Sequence, residues 1–100
     1  MVIKWSDFSK ENIKDFTKNS LMLSPKNYVK SLLEYVTYLS DHPRLGKVLC
    51  YINSKEIRQL IYRKHRILYY IFDNKIYIIA VIHSSQDLKT SLKFIKRFFK

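Results

Sequence analysis

The second half of the chain, from Lys47 to His83, is a series of short strand-like segments separated by turn dipeptides. The segments KVLCYI, EIRQLIY, RILYYIF and KIYIIAVIH are rich in Ile, Val and Tyr, residues that favour strands. Between them stand Asn53-Ser54, Arg63-Lys64 and Asp73-Asn74, at the spacing of β-hairpins. The pattern predicts an antiparallel meander of about four strands.

Helical spacing dominates the first half. After a short apolar strand at Val2–Trp5, Ser6 is placed to cap a helix, and Ser24-Pro25 predicts the start of a second helix with Ser24 as its N-cap. The second helix stops at the segment SDHPRLGK. Apolar residues recur at helical spacing in both: Phe8, Ile13 and Phe16, then Val29, Leu32, Leu33, Val36 and Leu39. We therefore expect an αα-hairpin.

The last segment, from Gln86, returns to helical spacing. Its apolar residues share one predicted face: Leu88, Leu92, Ile95 and Phe99. Its cations lie mostly off that face: Lys89, Lys93, Lys96, Arg97 and Lys100. The predicted order is strand, helix, helix, meander and basic C-terminal helix. We expect residues 1–100 to form one α+β domain with the helical hairpin on one face of the sheet.

The charge of the chain points to an anionic partner. Its 100 residues include 19 Lys and Arg against 8 Asp and Glu, which gives a net charge of +11. Nucleic acid, a membrane surface or an acidic protein would each match such a charge. A lysine-rich surface that only keeps the protein soluble is the alternative.

Cysteine content and the N-terminal segment argue against several classes. Cys50 is the one cysteine, lies in an apolar run and is expected in the core, so no internal disulfide forms. The Cys and His spacing predicts no metal site, and no cofactor is expected. The N-terminal segment lacks the apolar run of a signal peptide, and no segment approaches the roughly 18 apolar residues of a membrane span. The default expectation is a cytoplasmic protein.

Cations interrupt the strand-like run. Alternation along the strands places Glu56 and Arg58 on one face, and we expect Arg66 on the next strand to meet them there. Such a group is either a salt-bridge cluster that fixes the strand register or an anion site for phosphate or carboxylate. His65 is expected on the face opposite Arg66. His83 ends the last strand, either as a surface or capping residue or as a catalyst.

Several pieces of the chain, in order, resemble the ParE/RelE family of type II toxins. The pieces are IKWS, the SP dipeptide, HPRLGK, EIRQL, HRILYYI and VIH followed by QDL, and they cover about Ile3 to Leu88. The resemblance implies a helical hairpin packed on a curved antiparallel sheet. It also implies an acidic cognate antitoxin that covers the basic surface in a hetero-oligomeric complex.

Members of the RelE-like branch resemble ribosome-dependent mRNA endoribonucleases. Under that reading Arg58 and Arg66 would hold the phosphate and His83 would be the general acid or base. Ser84–Gln86 stands where the family has an arginine, and no tyrosine follows Tyr77. The nuclease set implied by the resemblance is therefore incomplete.

The ParE-like branch fits the motifs better. Its E-x-R-x-L piece is Glu56, Arg58 and Leu60, and its H-x-x-x-D-L piece is His83, Asp87 and Leu88. ParE-like toxins resemble inhibitors that trap DNA gyrase on cleaved DNA, and they need no catalytic residues of their own. Whether the protein is an enzyme thus depends on the branch, and a family member that has lost its activity is a further alternative.

The predicted contacts with target or partner follow from these motifs and from the C-terminal cations. The residues are Glu56, Arg58, Arg66, His83, Lys89, Lys93, Lys96 and Arg97. The antitoxin is expected at the edge of the helical hairpin together with an edge of the sheet. The C-terminal helix either docks back on the sheet or on a partner, which we favour, or lies on a membrane surface.

Overall fold

The structure, a computed structural model, describes residues 1–19 and 25–99. Its elements are strand β1 (Val2–Trp5), helices α1 (Asp7–Asn19) and α2 (Pro25–Val36) with a 3₁₀ turn (Thr37–Ser40), strands β2 (Lys47–Ile52), β3 (Lys55–Tyr62), β4 (His65–Phe72) and β5 (Lys75–His83), and helix α3 (Leu88–Lys96) with a 3₁₀ turn (Arg97–Phe99). The predicted α+β class and the order strand, helix, helix, meander and helix are confirmed, while the basic character of the C-terminal helix stays a prediction. The predicted cap at Ser24 and the cation Lys100 lie outside the described residues.

The strands form one sheet in the order β1-β5-β4-β3-β2. Strands β2 to β5 are the predicted antiparallel meander, whereas β1 pairs with β5 in parallel, so the sheet is mixed. Two hairpin turns have positive φ at both central residues, Asn53-Ser54 and Asp73-Asn74. This is the backbone of a two-residue type I′ turn, and Asn and Asp tolerate it well.

Ser6 joins the start of α1 to strand β5 of the sheet. Its Oγ accepts a hydrogen bond from the backbone N–H of Ser9 at 3.0 Å and donates one to the carbonyl of Ile79 at 2.8 Å. Ser9 is fully buried, and its own hydroxyl donates to the Ser6 carbonyl at 2.7 Å. The predicted helix cap at Ser6 is confirmed, and it fixes the position of α1 against β5.

One side of the sheet, here called the hairpin face, is covered by α1, α2 and the turn after α2. Its central strand residues are Leu60, Ile67, Tyr69, Ile76, Ile78 and Val81, packed against Leu32, Val36 and Leu39. Each of these aliphatic helix side chains contributes roughly 1.5–3 kcal/mol by burial. Leu33, which shares the predicted apolar pattern, is 38% exposed, so the buried stripe of α2 is narrower than the spacing predicts.

The opposite side, here called the α3 face, is covered by α3 and its 3₁₀ turn. Its buried residues are Ile52, Ile57, Leu68, Ile79, Ala80, Ile82 and Ile95, and Leu88, Leu92 and Phe99 pack against them, as the shared face predicts. The helix begins at Leu88, and the Asp87 side chain caps it by accepting from the backbone N–H of Lys89 at 3.1 Å. Within the described residues, neither α3 nor any other helix is long and apolar enough to cross a membrane.

Candidate target-binding and partner-binding surfaces

Arg58 anchors the loop that precedes β2. Its Nη1 donates to the carbonyl of Gly46 at 2.6 Å and to that of Arg44 at 3.2 Å, while Nη2 forms an ion pair with Glu56 at 2.5 Å. The Arg58 side chain is only 12% exposed. The predicted contact between Glu56 and Arg58 is therefore present. Three of the five N–H donors of Arg58 are used within the protein. This arrangement matches the structural alternative, a cluster that fixes the strands and the loop.

Arg66 lies on the α3 face, away from Arg58. The register of β3 and β4 sets Arg58 opposite Tyr69 and Ile61 opposite Arg66. The expectation that Arg58 and Arg66 meet on one face is therefore wrong. The two-residue turn between β3 and β4 explains the error. Because the turn pairs Tyr62 with His65, even-numbered residues of β3 share a face with odd-numbered residues of β4, and Arg58 and Arg66 lie on opposite faces.

Arg66 has spare hydrogen-bonding capacity. Its Nη1 donates to Oε1 of Gln59 at 2.8 Å. Its Nε atom is buried and, among the described residues, has no hydrogen-bond partner, and the same is true of the Arg58 Nε. Among the described contacts Arg66 makes one hydrogen bond, whereas Arg58 makes two and an ion pair, so Arg66 keeps more of its five N–H donors for an anionic group.

His65 is a buried residue of the hairpin face, as its predicted orientation opposite Arg66 requires. It is 3% exposed; its Nδ1 and the hydroxyl of Tyr28 form a 2.7 Å hydrogen bond, and the ring of Phe16 lies 4.1 Å from its own, centroid to centroid. Burial, and next the nearby His83 ring, lowers the pKa of His65 from the usual 6.5 to about 4. His65 is thus neutral near pH 7, and it joins both helices of the hairpin to β4.

Tyr28, the hydrogen-bond partner of His65, is a residue that the sequence pattern does not single out. It lies on α2, and its ring is 5.6 Å from that of Tyr62 on β3. Burial raises its pKa, so the hydroxyl stays neutral. The hydrogen bond between Tyr28 and His65 joins residues that are 37 positions apart in the chain. No local signal predicts it, although a tyrosine at helical spacing from the buried Leu32 indicates that it faces the sheet.

His83 forms a closed turn with the residues after it. Its Nδ1 accepts from the backbone N–H of Ser85 at 3.0 Å and contacts the Ser85 hydroxyl at 2.7 Å. Its backbone N–H donates to Oε1 of Gln86 at 2.9 Å, and Ser84 donates to the carbonyl of Lys64 at 2.7 Å. The residues that stand in place of the expected arginine therefore build a turn between β5 and α3.

The residues of the nuclease alternative do not converge. His83 pairs with His65 on the hairpin face, whereas Arg66 pairs with Ile82 and lies on the α3 face. Arg58 shares the hairpin face with His83, but its cross-strand partner Tyr69 is four residues from His65 along β4. That separation is about 13 Å at 3.3 Å per residue. Arg58, Arg66 and His83 therefore do not surround one phosphate.

The cations of α3 point into solvent. Lys89, Lys93, Lys96 and Arg97 are all exposed. Lys93 and Lys96 lie in the last turn of the helix, where positive charge is favoured by the helix dipole. They stand on the same side of the sheet as Arg66. Whether this surface contacts a target stays a prediction.

Within residues 1–19 and 25–99, no group of three or more His, Cys, Asp or Glu side chains is arranged to hold a metal ion.

Comparison with known proteins gives one family. The family model described as the ParE toxin of the type II toxin–antitoxin system, parDE, matches residues 3–88. Among the curated proteins compared with the chain, none matches it.

Proposed function

The chain belongs to the ParE family of toxins of type II toxin–antitoxin systems, and we propose that it acts in the cytoplasm as an inhibitor of DNA gyrase that blocks replication. In this proposal residues 1–100 act as one toxin domain. The protein is a binding protein without catalytic residues, and a cognate acidic antitoxin neutralises it.

The observation that carries this choice over mRNA cleavage is the separation of Arg58, Arg66 and His83. An endoribonuclease needs cations and a proton donor around one scissile phosphate. Here Arg66 and His83 lie on opposite faces of the sheet, and Arg58 is held by Glu56 and two backbone carbonyls. A binding toxin needs no such convergence, because its contacts can be spread over a surface.

The proposed contact surface for gyrase is the cationic side of α3 together with Arg66. Lys89, Lys93, Lys96 and Arg97 are exposed there, and the net charge of +11 attracts an anionic protein–DNA complex. Arg66 adds a guanidinium on the α3 face that is held by one described hydrogen bond, to Gln59.

For the antitoxin we favour the β1 edge and the adjacent part of the helical hairpin. Strand β1 is an outer strand, and the N-terminal ammonium of Met1 donates to the carbonyl of Ser40 at 2.9 Å, so the edge lies beside the turn after α2. Exposed apolar side chains surround this place: Val2, Leu33 and Tyr38. An antitoxin segment with apolar and acidic residues would cover these side chains and offset the charge.

Expression of the chain alone in a tightly controlled bacterial host tests the proposal. We expect growth arrest, a DNA-damage response and intact mRNA, and we expect purified gyrase to accumulate cleaved plasmid when the protein is added. Arrest with rapid mRNA loss would instead support the ribosome-dependent nuclease. A soluble, folded protein that causes no arrest would mark a family member without activity.

A pair of matched variants locates the contact surface. The triple variant Lys89→Gln, Lys93→Gln, Lys96→Gln removes three exposed charges from α3. The control, Lys10→Gln, Lys14→Gln, Lys18→Gln, removes three exposed charges from α1. We expect gyrase inhibition to fall in the α3 variant and to persist in the α1 variant. An equal loss in both would reject the α3 surface in favour of general attraction.

A further inference from the structure

A group of aromatic rings on the α3 face remains without a role in the proposed toxin activity. Tyr70 and Tyr77 are cross-strand partners, and their rings stack with centroids 5.1 Å apart and planes 14° apart. The ring of Phe99 meets Tyr70 edge-on, at 5.4 Å and 70°. Phe72, two residues beyond Tyr70, is 56% exposed. Arg66 lies six residues from Phe72, about 20 Å along the strand, so Phe72 is well separated from Arg66.

A cavity of about 500 Å³ opens beside these rings. It is lined by Tyr70, Tyr77, Phe99 and Trp5, with Lys4, Ser6 and Asp7 among its polar residues. Its size lies within the range of small-ligand pockets, about 300–1,000 Å³, and such pockets are mostly apolar with a few polar groups. The rings and the cavity together are here called the aromatic cleft.

Lysines alternate with the rings along the cleft. Lys55 Nζ lies 5.1 Å from the ring centroid of Phe72 and 5.8 Å from those of Tyr70 and Phe99. Phe72 is the cross-strand partner of Lys75, and Tyr77 is the partner of Lys4. Neighbouring strands are about 4.8 Å apart, so Phe72 and Tyr77 each have a cation one strand away, while Tyr70 and Phe99 share Lys55. The cleft therefore offers flat apolar surfaces and positive charges in alternation.

This alternation matches one class of ligand. A single nucleic acid strand presents bases and phosphates in turn, and its bases stack on aromatic side chains whatever their identity. Lysines beside the rings neutralise the phosphates. The Asp7 carboxylate can accept a hydrogen bond from the N–H edge of a base in the cavity. Neither a membrane surface nor an acidic peptide requires flat ring surfaces placed between the charges.

We propose that the aromatic cleft binds single-stranded nucleic acid, with a base in the cavity beside Tyr77 and phosphates beside Lys4, Lys55 and Lys75. The binding is independent of sequence, since stacking tolerates every base. It does not depend on the gyrase activity proposed above, and it is measured with the purified toxin alone.

Fluorescence anisotropy with a labelled oligo(dT) of about 12 nucleotides tests the proposal. The key variant is Phe72→Ser, because the exposed ring can be removed without opening the core. The matched control is Tyr51→Ser, which removes a 66% exposed ring from the outer strand β2. We expect Phe72→Ser to weaken binding about tenfold, the loss of one base–ring stack. Tyr51→Ser should leave the affinity unchanged.

Two further measurements distinguish binding in the aromatic cleft from general electrostatic attraction. Trp5, the one tryptophan of the chain, lines the cavity, so its fluorescence should be quenched when a base enters. The double variant Lys55→Gln, Lys75→Gln should lower the slope of log K against log salt by about 1.4, at about 0.7 per phosphate contact. The double variant Lys10→Gln, Lys18→Gln on α1 should not.

Several results would overturn the proposal. These are the absence of binding, an equal loss in Phe72→Ser and Tyr51→Ser, and binding that leaves Trp5 fluorescence unchanged. If a poly-glutamate peptide binds as tightly and with the same dependence on Phe72, the cleft is a surface for acidic proteins and the proposal is wrong.

Discussion

The buried hydroxyl of Tyr69 accepts a 2.8 Å hydrogen bond from the backbone N–H of Gly46 and donates one of equal length to the carbonyl of Pro43. The loop before β2 thus lies directly on a tyrosine at the centre of the hairpin face. A Cβ atom at Gly46 would come within 2.7 Å of the Tyr69 ring and of the carbonyl of Gln59. Gly46 is required here because of this close approach.

We expect Gly46→Ala to destabilise the protein by about 1–3 kcal/mol, since both the ring and a backbone carbonyl must move. Tyr69→Phe should cost a similar amount, because it leaves the Gly46 N–H and the Pro43 carbonyl without their partner. Urea unfolding at pH 7 measures both. Leu45→Ala, at a 50% exposed position of the same loop, is the control and should change stability by less than about 0.5 kcal/mol.

His65 makes stability depend on pH. Its folded pKa of about 4 lies below its usual 6.5, so the unfolded chain binds a proton more readily than the folded one. The stabilisation is complete above about pH 6.5 and is lost as the pH falls towards 4. A pKa shift of this size corresponds to roughly 3 kcal/mol.

The test compares unfolding free energies from pH 7.5 to 4 in the parent protein and in the double variant His65→Phe, Tyr28→Phe, which removes both hydrogen-bonding partners together. The variant should show a shallower decline than the parent. His42→Gln serves as the control and should keep the full slope. If the slope is the same in all three proteins, His65 is not its source.

Arg58 is expected to act on stability. The change Arg58→Met keeps the apolar stem but leaves the carbonyls of Gly46 and Arg44, and the Glu56 carboxylate, without their donor. We expect a loss of about 1.5–3 kcal/mol in the free energy of unfolding. Arg97→Met, at an exposed position, should have almost no effect. Loss of toxicity in Arg58→Met at unchanged stability would contradict this structural role.

The turn between β3 and β4 contains a strained residue beside an unstrained one. Arg63 has a positive φ of 51°, and Lys64 is not among the residues with positive φ. Since such a conformation costs a non-glycine residue about 1 kcal/mol, Arg63→Gly should stabilise the protein by a few tenths to 1 kcal/mol. Lys64→Gly removes the same charge and should destabilise it. Thermal unfolding of the two variants decides the point.

The sequence predicts local features well and distant ones poorly. The hairpins at Asn53-Ser54 and Asp73-Asn74 are confirmed because turn chemistry and alternation act between neighbouring residues. The face shared by Leu88, Leu92, Ile95 and Phe99 is confirmed for the same reason.

Features that depend on pairing were missed or mistaken. The relative orientation of Arg58 and Arg66 depends on how many residues form the turn between their strands, and a difference of one residue reverses a face. The bond between Tyr28 and His65 and the parallel pairing of β1 depend on contacts across the whole chain. Neither leaves a local pattern.

The position of β1 has a consequence for synthesis. Its residues precede the other strands in the chain, yet Val2 pairs with Lys75 and the Ser6 hydroxyl donates to the carbonyl of Ile79, 73 residues later. During synthesis β1 therefore stays unpaired until β5 has been made. Pairing strands so far apart in sequence is slow, because a long loop has to close. A chain that ends before β5 lacks the strand that joins β1 to β4, so β1 has no partner in the sheet. The five-stranded sheet can therefore close only after β5 has been made.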